Sequence, residues 1–589
     1  MLAAALCAPL FLVGLGSTGL SDPDEGRNAE VAREMLASGD WITPRINDAV
    51  YLDKPPVFFW AVAASLGVFG VGEWGARLPS ALAAIAGIAL AAAFARRHLG
   101  PTAGWASAAI LGLSPLYVVF GRLVIFDMCL LVCTTAAVMA AYESLESERP
   151  GRLPPAVFFA AAGVGTIIKG PVALLVPLLV AVAWALVRGA PRRLGRLRWG
   201  QGILVYLAIV TPWAVAVEGL HPGFLNYALL GENLARMTAN PYDTARPFHF
   251  YARVLLPGLF PWVVLVAVHA VAALVRRLRG RVVAANAGAA DAHAAAGGTG
   301  ERGGADERGG APSEAPAVRF LWVWLAVLVL FFSVITSKRP SYILPCAVPV
   351  AILAAHVIVR AARREGAAAA DRSAGAMILA AMCALVAGGL LLAPSVLRST
   401  ALAAGLEERI AAHAALFPLT AGGLLVAAAA MLVTRRGARP GLFVAAAALP
   451  FVVFLPLARA GARHIEQLRS SRAVSRFLAE RLHPGDRVVL FEEYRPGMNF
   501  YLRLPLYQVT RAGRVFTSNY IEAHLDRFRA DPSFRLLAPE AFRDVLRDAG
   551  AATWVLAPRK EYGPLQEMAG VPLARVREEG GFGLFLPER

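Results

Sequence analysis

Two acidic residues, Asp24 and Glu25, stand in the string Ser21-Asp22-Pro23-Asp24-Glu25-Gly26-Arg27, just beyond the first apolar run of a strongly hydrophobic chain. A carboxylate there can take a proton from an attacking hydroxyl. Arg27 follows at once, and Lys54 comes soon after in Asp53-Lys54-Pro55-Pro56. Cations of this kind stabilise a phosphate that leaves with a bonding electron pair. Ionised side chains gathered beside an apolar run belong at the lipid–water boundary, the level at which a lipid-linked phosphate also sits. Two purely structural readings compete. Asp24 and Glu25 would also suit the first turn of a helix, where carboxylates favour the helix dipole. Lys54 would also suit an interfacial lysine that reaches for water.

Further candidates lie at other boundaries between apolar runs. Asp127 ends Arg122-Leu123-Val124-Ile125-Phe126-Asp127, and a carboxylate in such a setting is costly and commonly functional. It is expected to orient Arg122 or another cation, or to form a structural ion pair. Lys169, in Ile168-Lys169-Gly170-Pro171, marks a helix break and is a further substrate-contact candidate. The segment Ser333 to Pro345 packs Lys338, Arg339 and Tyr342 between prolines in a short turn. A phosphate accepting bonds from Lys338, Arg339 and the Tyr342 hydroxyl accounts for that density; a hairpin with snorkelling ends is the plainer alternative. Asp53 and Arg246 complete the set of substrate-contact candidates. His221, His249 and Glu232 fall in one loop but lack the spacing of a metal site, so a divalent cofactor is not indicated and any metal requirement stays unknown.

The elements that must position these residues follow from composition. The 589 residues are 57% hydrophobic and only 17% charged, with a mean hydropathy of +0.55. Soluble domains carry about 25% charged residues. About 13 apolar runs of roughly 20 residues, the length that spans a bilayer core, recur from Leu2 to Leu457. The chain reads as a polytopic α-helical membrane protein. Its net charge of +17 is spread over short loops such as Arg96-Arg97, Arg192-Arg193, Arg276-Arg277, Arg363-Arg364 and Arg435-Arg436. That is the positive-inside pattern, not the single basic face of a nucleic-acid binder. It places the N-terminus inside and the segments 21–73 and 219–253 outside. With no basic residues before it and no cleavage site, the first apolar run is expected to be a span and not a removed signal. All five cysteines fall in apolar runs and read as inert buried thiols.

Within the first outer segment, residues 27–38 have helical periodicity with Gly39 as a stop. Pro55-Pro56 opens a second helix over 57–66, and both suit amphipathic helices in the interface. Residues 281–316 read as a disordered cytoplasmic linker. Residues 1–463 thus form the transmembrane part. Residues 464–589 read as a small soluble α/β domain with a helix over 473–482 and strands at 487–491, 552–556 and 581–586.

Several separated strings resemble one known family, the lipid A aminoarabinose transferases: Asp24-Glu25-Gly26-Arg27-Asn28-Ala29-Glu30, Ala32-Arg33-Glu34-Met35, Gly39-Asp40-Trp41, Asp53-Lys54-Pro55-Pro56, Arg77-Leu78-Pro79, Lys169-Gly170-Pro171, Arg246-Pro247-Phe248 through Pro261-Trp262, and Lys338 to Pro345. The resemblance covers residues 1–360, and the family sits in the GT-C superfamily with the protein O-mannosyltransferases as cousins. It implies a GT-C type fold and an inverting transfer of a sugar from a polyprenyl (undecaprenyl) phosphate, on the outer face of a bacterial inner membrane, to a glycan, lipid or protein acceptor. Asp24 matches the family's catalytic acidic position, and Arg27, Lys54 and Tyr342 match lipid-phosphate contacts. Where the family often has Glu, this chain has Asp53. Two alternatives remain at this stage: a protein O-mannosyltransferase-like enzyme using Ser or Thr hydroxyls, and a lipid or sugar transporter. A transporter would place its charges near the bilayer midplane, whereas these cluster at one face.

Overall fold

Asp24 opens a helix because Pro23 cannot continue the preceding turn, and because Asp24 and Glu25 put negative charge at the helix's positive end. The helix runs Asp24–Ser38 and stops at Gly39, whose φ of 70° lets its N–H reach the Met35 carbonyl. The computed structural model of the chain describes all residues except 1, 149–150, 235–245, 296–314, 364–366, 400–414, 438, 512–515, 532, 549 and 589.

The apolar runs among the described residues fall on helix. Among the described residues, eight helices are long and apolar enough to cross a membrane. The pair Phe250–Gly258 and Trp262–Arg279, bent by 116° at its break, passes the same test when the two helices are taken together. The remaining runs form shorter apolar helices such as Leu2–Leu12, Leu153–Lys169 and Val172–Val187. The expected total of about 13 includes these shorter helices, and Gly170 and Pro171 separate Leu153–Lys169 from Val172–Val187. The first part of the segment expected to be a disordered linker continues the long helix to Ala295. The rest, up to 314, lies outside the described residues.

The two helices of the first outer segment are not simply amphipathic helices resting on lipid. The Asp24–Ser38 helix buries Ala29, Val31, Ala32 and Met35, and also Glu25, Asn28 and Glu30. It packs between the Val57–Phe69 helix and the short helix Pro496–Leu502 of the C-terminal region. One continuous apolar cluster joins it to Phe58, Phe59 and Val62, to span ends at Phe126, Ile168 and Trp213, and to Val488, Leu490 and Met498.

The C-terminal region is a five-stranded sheet. Its strands run in the order Tyr507–Val509, Arg487–Phe491, Thr553–Pro558, Phe582–Pro587, Leu573–Glu579. The first three are parallel and the last two antiparallel. The central strand, Thr553–Pro558, is buried along its length, as expected for a strand covered on both faces. One face lies on the outer-segment cluster; the other carries the helices Pro539–Arg547 and Tyr562–Ala569 around Val489, Val555 and Phe542. Strands 507–509 and 573–579 were not anticipated. The first has three residues, and the second is rich in charge, with Arg575, Arg577, Glu578 and Glu579.

Buried charge fixes how these parts meet. Arg77, near the start of the helix Glu73–Leu99, forms a two-pronged ion pair with Glu25 at 2.8 and 2.9 Å. Its other donors reach the carbonyls of Leu15, Thr18 and Gly19. Glu25 in turn accepts from the backbone N–H groups of Ser21 and Val124, each at 3.0 Å. Three residues before Glu25, Asp22 accepts from the Gly497 N–H at 2.7 Å and from the Ser471 hydroxyl, and pairs with Arg495 at 3.5 Å. Gly26 is required at this crossing, since a Cβ there would lie 2.3 Å from an Asp22 oxygen and 2.5 Å from the Gly497 nitrogen.

Breaking a buried pair by removing one partner costs about 3–5 kcal/mol, because the other charge is left uncompensated. Arg77→Met should therefore lower the thermal midpoint of the detergent-solubilised protein sharply. Paired replacement of Arg77 and Glu25 by Met and Leu should recover part of that loss, which thermal unfolding followed by tryptophan fluorescence measures.

Candidate functional site

The helix Asp24–Ser38 presents its first carboxylate outward. The Asp24 side chain is 54% exposed, while Arg27, one turn on, is largely buried and bonds to it at 2.5 Å. Arg27 also donates to the Thr517 carbonyl at 3.1 Å. To supply that carbonyl, Phe516 and Thr517 adopt φ of 48° and 50°, a left-handed conformation that is unfavourable for a β-branched residue. Strain of this kind persists only where the surroundings over-determine it.

Burial alone would raise the Asp24 carboxyl. The positive charges of Arg27, Arg339 and Lys169, with the Arg27 hydrogen bond, outweigh burial and hold it below the ordinary aspartate value. Three cations from three different elements thus converge on one carboxylate. Burial opposes the charge of Arg27 too, but Tyr51, Asp24 and Asp53 keep its guanidinium firmly protonated.

Beside this carboxylate opens a cleft of about 1090 Å³, including its mouth. Its walls are apolar: Leu130 of the helix Phe126–Glu146, Val172, Leu175 and Val176 of Val172–Val187, and Phe331, Phe332 and Ile335 at the end of Pro316–Val334. One end is polar and charged, formed by Lys54, Asp127, Lys169, Ser337, Ser341 and Tyr342. Lys169 is the pivot of that end. Its ammonium bonds Asp127 at 2.5 Å and stands 5.2 Å from the centre of the Tyr342 ring, within cation–π range. Gly170 and Pro171 end the helix here and so leave Lys169 on its last turn, facing the cleft.

The sequence-derived candidates separate accordingly. Asp127, Lys54, Lys169 and Tyr342 line the charged end, and the charges of Arg27, Arg339 and Lys169 act on Asp24. Glu25 faces away, both oxygens engaged by Arg77 and backbone N–H groups. The cation beside Asp127 is Lys169 and not Arg122, whose guanidinium donates to the Leu10 and Val13 carbonyls. The Lys338 ammonium is likewise turned inward: it donates to the carbonyls of Arg246, at 2.9 Å, and Ile335, and burial lowers its pKa. Arg246 enters through its backbone, and its side chain is exposed.

Asp53 serves the C-terminal domain. It is buried and accepts from the N–H groups of Tyr520 at 2.6 Å and Asn519 at 3.0 Å, and from the Tyr227 hydroxyl at 3.3 Å. Its shorter carboxylate therefore has a structural partner. Lys54, next to it, donates to the Asp53 carbonyl at 2.7 Å. In the loop over 219–253, His221 bonds Thr43 at 3.1 Å, while the Glu232 side chain lies outside the described residues. Among the described residues no group of three His, Cys, Asp or Glu is placed to hold a metal ion.

Sequence reasoning gave no role to Ser337, Ser341, Thr517 or Arg77. The two serines flank the Lys338–Arg339 pair and were the available signal. Thr517 lies nearly 500 residues from Arg27, and nothing local marks it.

These features, a set of apolar helices, several of them short or bent, around an apolar cleft with one charged end beneath a folded segment, are those of a GT-C type membrane protein. The family described as dolichyl-phosphate-mannose-protein mannosyltransferase matches residues 53–215. An undecaprenyl phosphate-α-4-amino-4-deoxy-L-arabinose arabinosyl transferase from Edwardsiella ictaluri is 30% identical over 368 residues, 62% of this chain and 60% of that protein. One from Pseudomonas fluorescens (strain Pf0-1) is 29% identical over 360 residues, 60% of this chain and 58% of that protein. The matched stretch thus spans somewhat under two thirds of these curated relatives. The crystal structure of ArnT from Cupriavidus metallidurans bound to undecaprenyl phosphate superposes over 99% of this chain and 97% of that one, with a TM-score of 0.76 and 25% identity. Its apo form gives a TM-score of 0.74. The chain thus has a GT-C type fold and is similar to the aminoarabinose transferases.

The electrostatic reading of Asp24 is directly measurable. Isotope-edited infrared titration, with Asp24→Asn to identify the band, should place the carboxyl midpoint below that of an ordinary aspartate. In Arg27→Gln it should move upward, because the largest compensating charge is gone.

Proposed function

We propose that the chain transfers a sugar from a polyprenyl phosphate donor to a hydroxyl of a cell-envelope acceptor, at the outer face of a bacterial inner membrane. The observation that carries this reading is the cleft: apolar walls long enough to take prenyl units lead to Lys54, Lys169 and Tyr342, and a carboxylate waits just outside. An apolar tail with a phosphate head fits that polarity. Two lines of kinship support the donor class: the relatives are named as undecaprenyl phosphate-dependent arabinosyl transferases, and the ArnT structure was solved with undecaprenyl phosphate.

In this reading the donor phosphate lies against Lys54 and Lys169, with the Tyr342 hydroxyl and Ser337 or Ser341 as further donors. The acceptor hydroxyl gives its proton to Asp24 as its oxygen attacks the anomeric carbon. The bond from that carbon to the phosphate oxygen breaks, and its electron pair leaves with the polyprenyl phosphate, where the cations stabilise it. Attack from the side opposite the phosphate inverts the anomeric configuration. Arg27 keeps Asp24 ionised before the acceptor arrives. Asp127 holds Lys169 in place and keeps the charged end from carrying an excess of positive charge when empty.

Basic loops at Arg96-Arg97 and Arg192-Arg193 place those loops in the cytoplasm. Asp24, the cleft's charged end and the C-terminal domain then lie outside, and the N-terminus inside. For the acceptor, the aminoarabinose transferase kinship favours a lipid A-like glycolipid. The match of residues 53–215 to the protein mannosyltransferase description favours a second reading with a Ser or Thr hydroxyl as acceptor, by the same chemistry.

The test uses purified protein with labelled polyprenyl-phosphate sugars. A general base contributes roughly 10²- to 10⁴-fold, so Asp24→Asn should lose at least about a hundredfold in transfer while retaining donor affinity. Lys54→Ala should weaken donor binding about tenfold, consistent with loss of a charge-assisted hydrogen bond. Near-normal transfer by Asp24→Asn would refute the base assignment, and unchanged donor affinity in Lys54→Ala would refute the phosphate contact.

A further inference from the structure

The last long helix, Pro440–Arg469, is apolar as far as Leu457 and then carries Arg459 and Arg463, one turn apart. The helix after it, Arg472–Ala479, repeats that spacing with Arg472 and Arg476. The four arginines line a polar cleft of about 1080 Å³ whose floor is Ser17 and Thr18. It is separate from the cleft beside Asp24, and the two share no lining residue.

The charges in it do not balance. Arg472 is neutralised by Glu466 and by Glu73, the latter at 3.2 Å. Glu579, at the rim, is engaged by Arg577 at 2.7 Å. Among the described residues no carboxylate pairs with Arg459, Arg463 or Arg476, and all three are exposed. Three like charges held round one concavity repel one another unless an anion lies between them, and guanidinium forks match phosphate oxygens two at a time.

The surroundings indicate which anion. Leu455 and Val452 lie one and two turns before Arg459 on the same helical face, and they are 43% and 49% exposed. An apolar surface directly below a cationic cleft fits acyl chains below a headgroup. The position along the helix, where the apolar run gives way to charge, is the depth of the headgroup phosphates.

We infer that this cleft binds the phosphate of an anionic lipid of the same leaflet. The site also bears on the rest of the fold. Glu466 accepts from the Gly19 N–H at 2.8 Å, and the neighbouring Thr18 and Gly19 carbonyls are held by Arg77. A bound headgroup would therefore steady the strand of chain that leads to Asp24. The inference is independent of the glycosyl-transfer reading.

The experiment is native mass spectrometry of the full chain in a neutral detergent, with phosphatidylglycerol and phosphatidylcholine supplied at equal concentration. Wild type should retain phosphatidylglycerol preferentially, and the variant R459Q/R463Q/R476Q should lose that preference by about tenfold or more. Lys54→Ala should keep it, since Lys54 belongs to the other cleft. If the triple variant fails to fold, Arg463→Gln alone should reduce the preference and Arg463→Lys should restore part of it. A wild-type preference in the folded triple variant would overturn the proposal. Displacement of the lipid by inorganic phosphate at equal concentration would overturn the lipid assignment and leave a free-phosphate site.

Discussion

The buried pair between Arg77 and Glu25 is the constraint on which the remaining geometry rests. One guanidinium gathers the carbonyls of Leu15, Thr18 and Gly19 and the carboxylate of Glu25, so the end of the first helix, the chain leading to Asp24 and the start of the Glu73–Leu99 helix are fixed together. Glu25 extends the link to Val124, three residues before Asp127. Two adjacent acids therefore have opposite surroundings. Glu25 is 3% exposed and bound at both oxygens. Asp24 projects outward among cations. A buried ion pair is weak evidence for stability as such; here it sets position, since neither partner can shift without leaving a charge unpaired.

The C-terminal domain completes the frame from the other side. Its helix Pro496–Leu502 lies against the Asp24–Ser38 helix, Asp22 accepts from Gly497, Asp53 accepts from Asn519 and Tyr520, and Arg27 donates to Thr517. Each contact ties a residue of the first outer segment to one more than 440 positions later. The proposed base and the proposed phosphate contacts are thus held between the membrane spans and a folded lid. Orientation of reacting groups supplies a large share of catalytic rate, and holding that orientation is the physical role proposed for the domain.

The membrane architecture was legible because apolar length is a strong signal: among the described residues the anticipated runs fall on helix, including short helices such as Leu153–Lys169 and Val172–Val187 that a helix break separates. In the C-terminal domain, strands 487–491 and 553–558 are apolar and stood out, while 573–579 carries four charged residues and did not. For the site, residue type and boundary position identified which residues matter but not which way they face. Glu25 and Asp24 are neighbours with the same chemistry, and only the distant Arg77 separates their roles. Lys338 and Arg339 are adjacent cations, yet the carbonyls of Ile335 and Arg246 turn one inward. Lys169 was read chiefly as a helix break, and its central place depends on Asp127 and Tyr342, 42 and 173 positions away. Direction is set by long-range partners, and no local pattern carries it.

The central claim is that a polyprenyl phosphate lies in the cleft with its head at Lys54 and Lys169. Photo-crosslinking with a polyprenyl phosphate bearing a diazirine in its first prenyl unit, followed by peptide mapping, tests it most directly. The account predicts adducts on 171–176 and 331–345, suppressed by unlabelled polyprenyl phosphate. Adducts confined to other helices, such as 199–220 or 440–457, would contradict it.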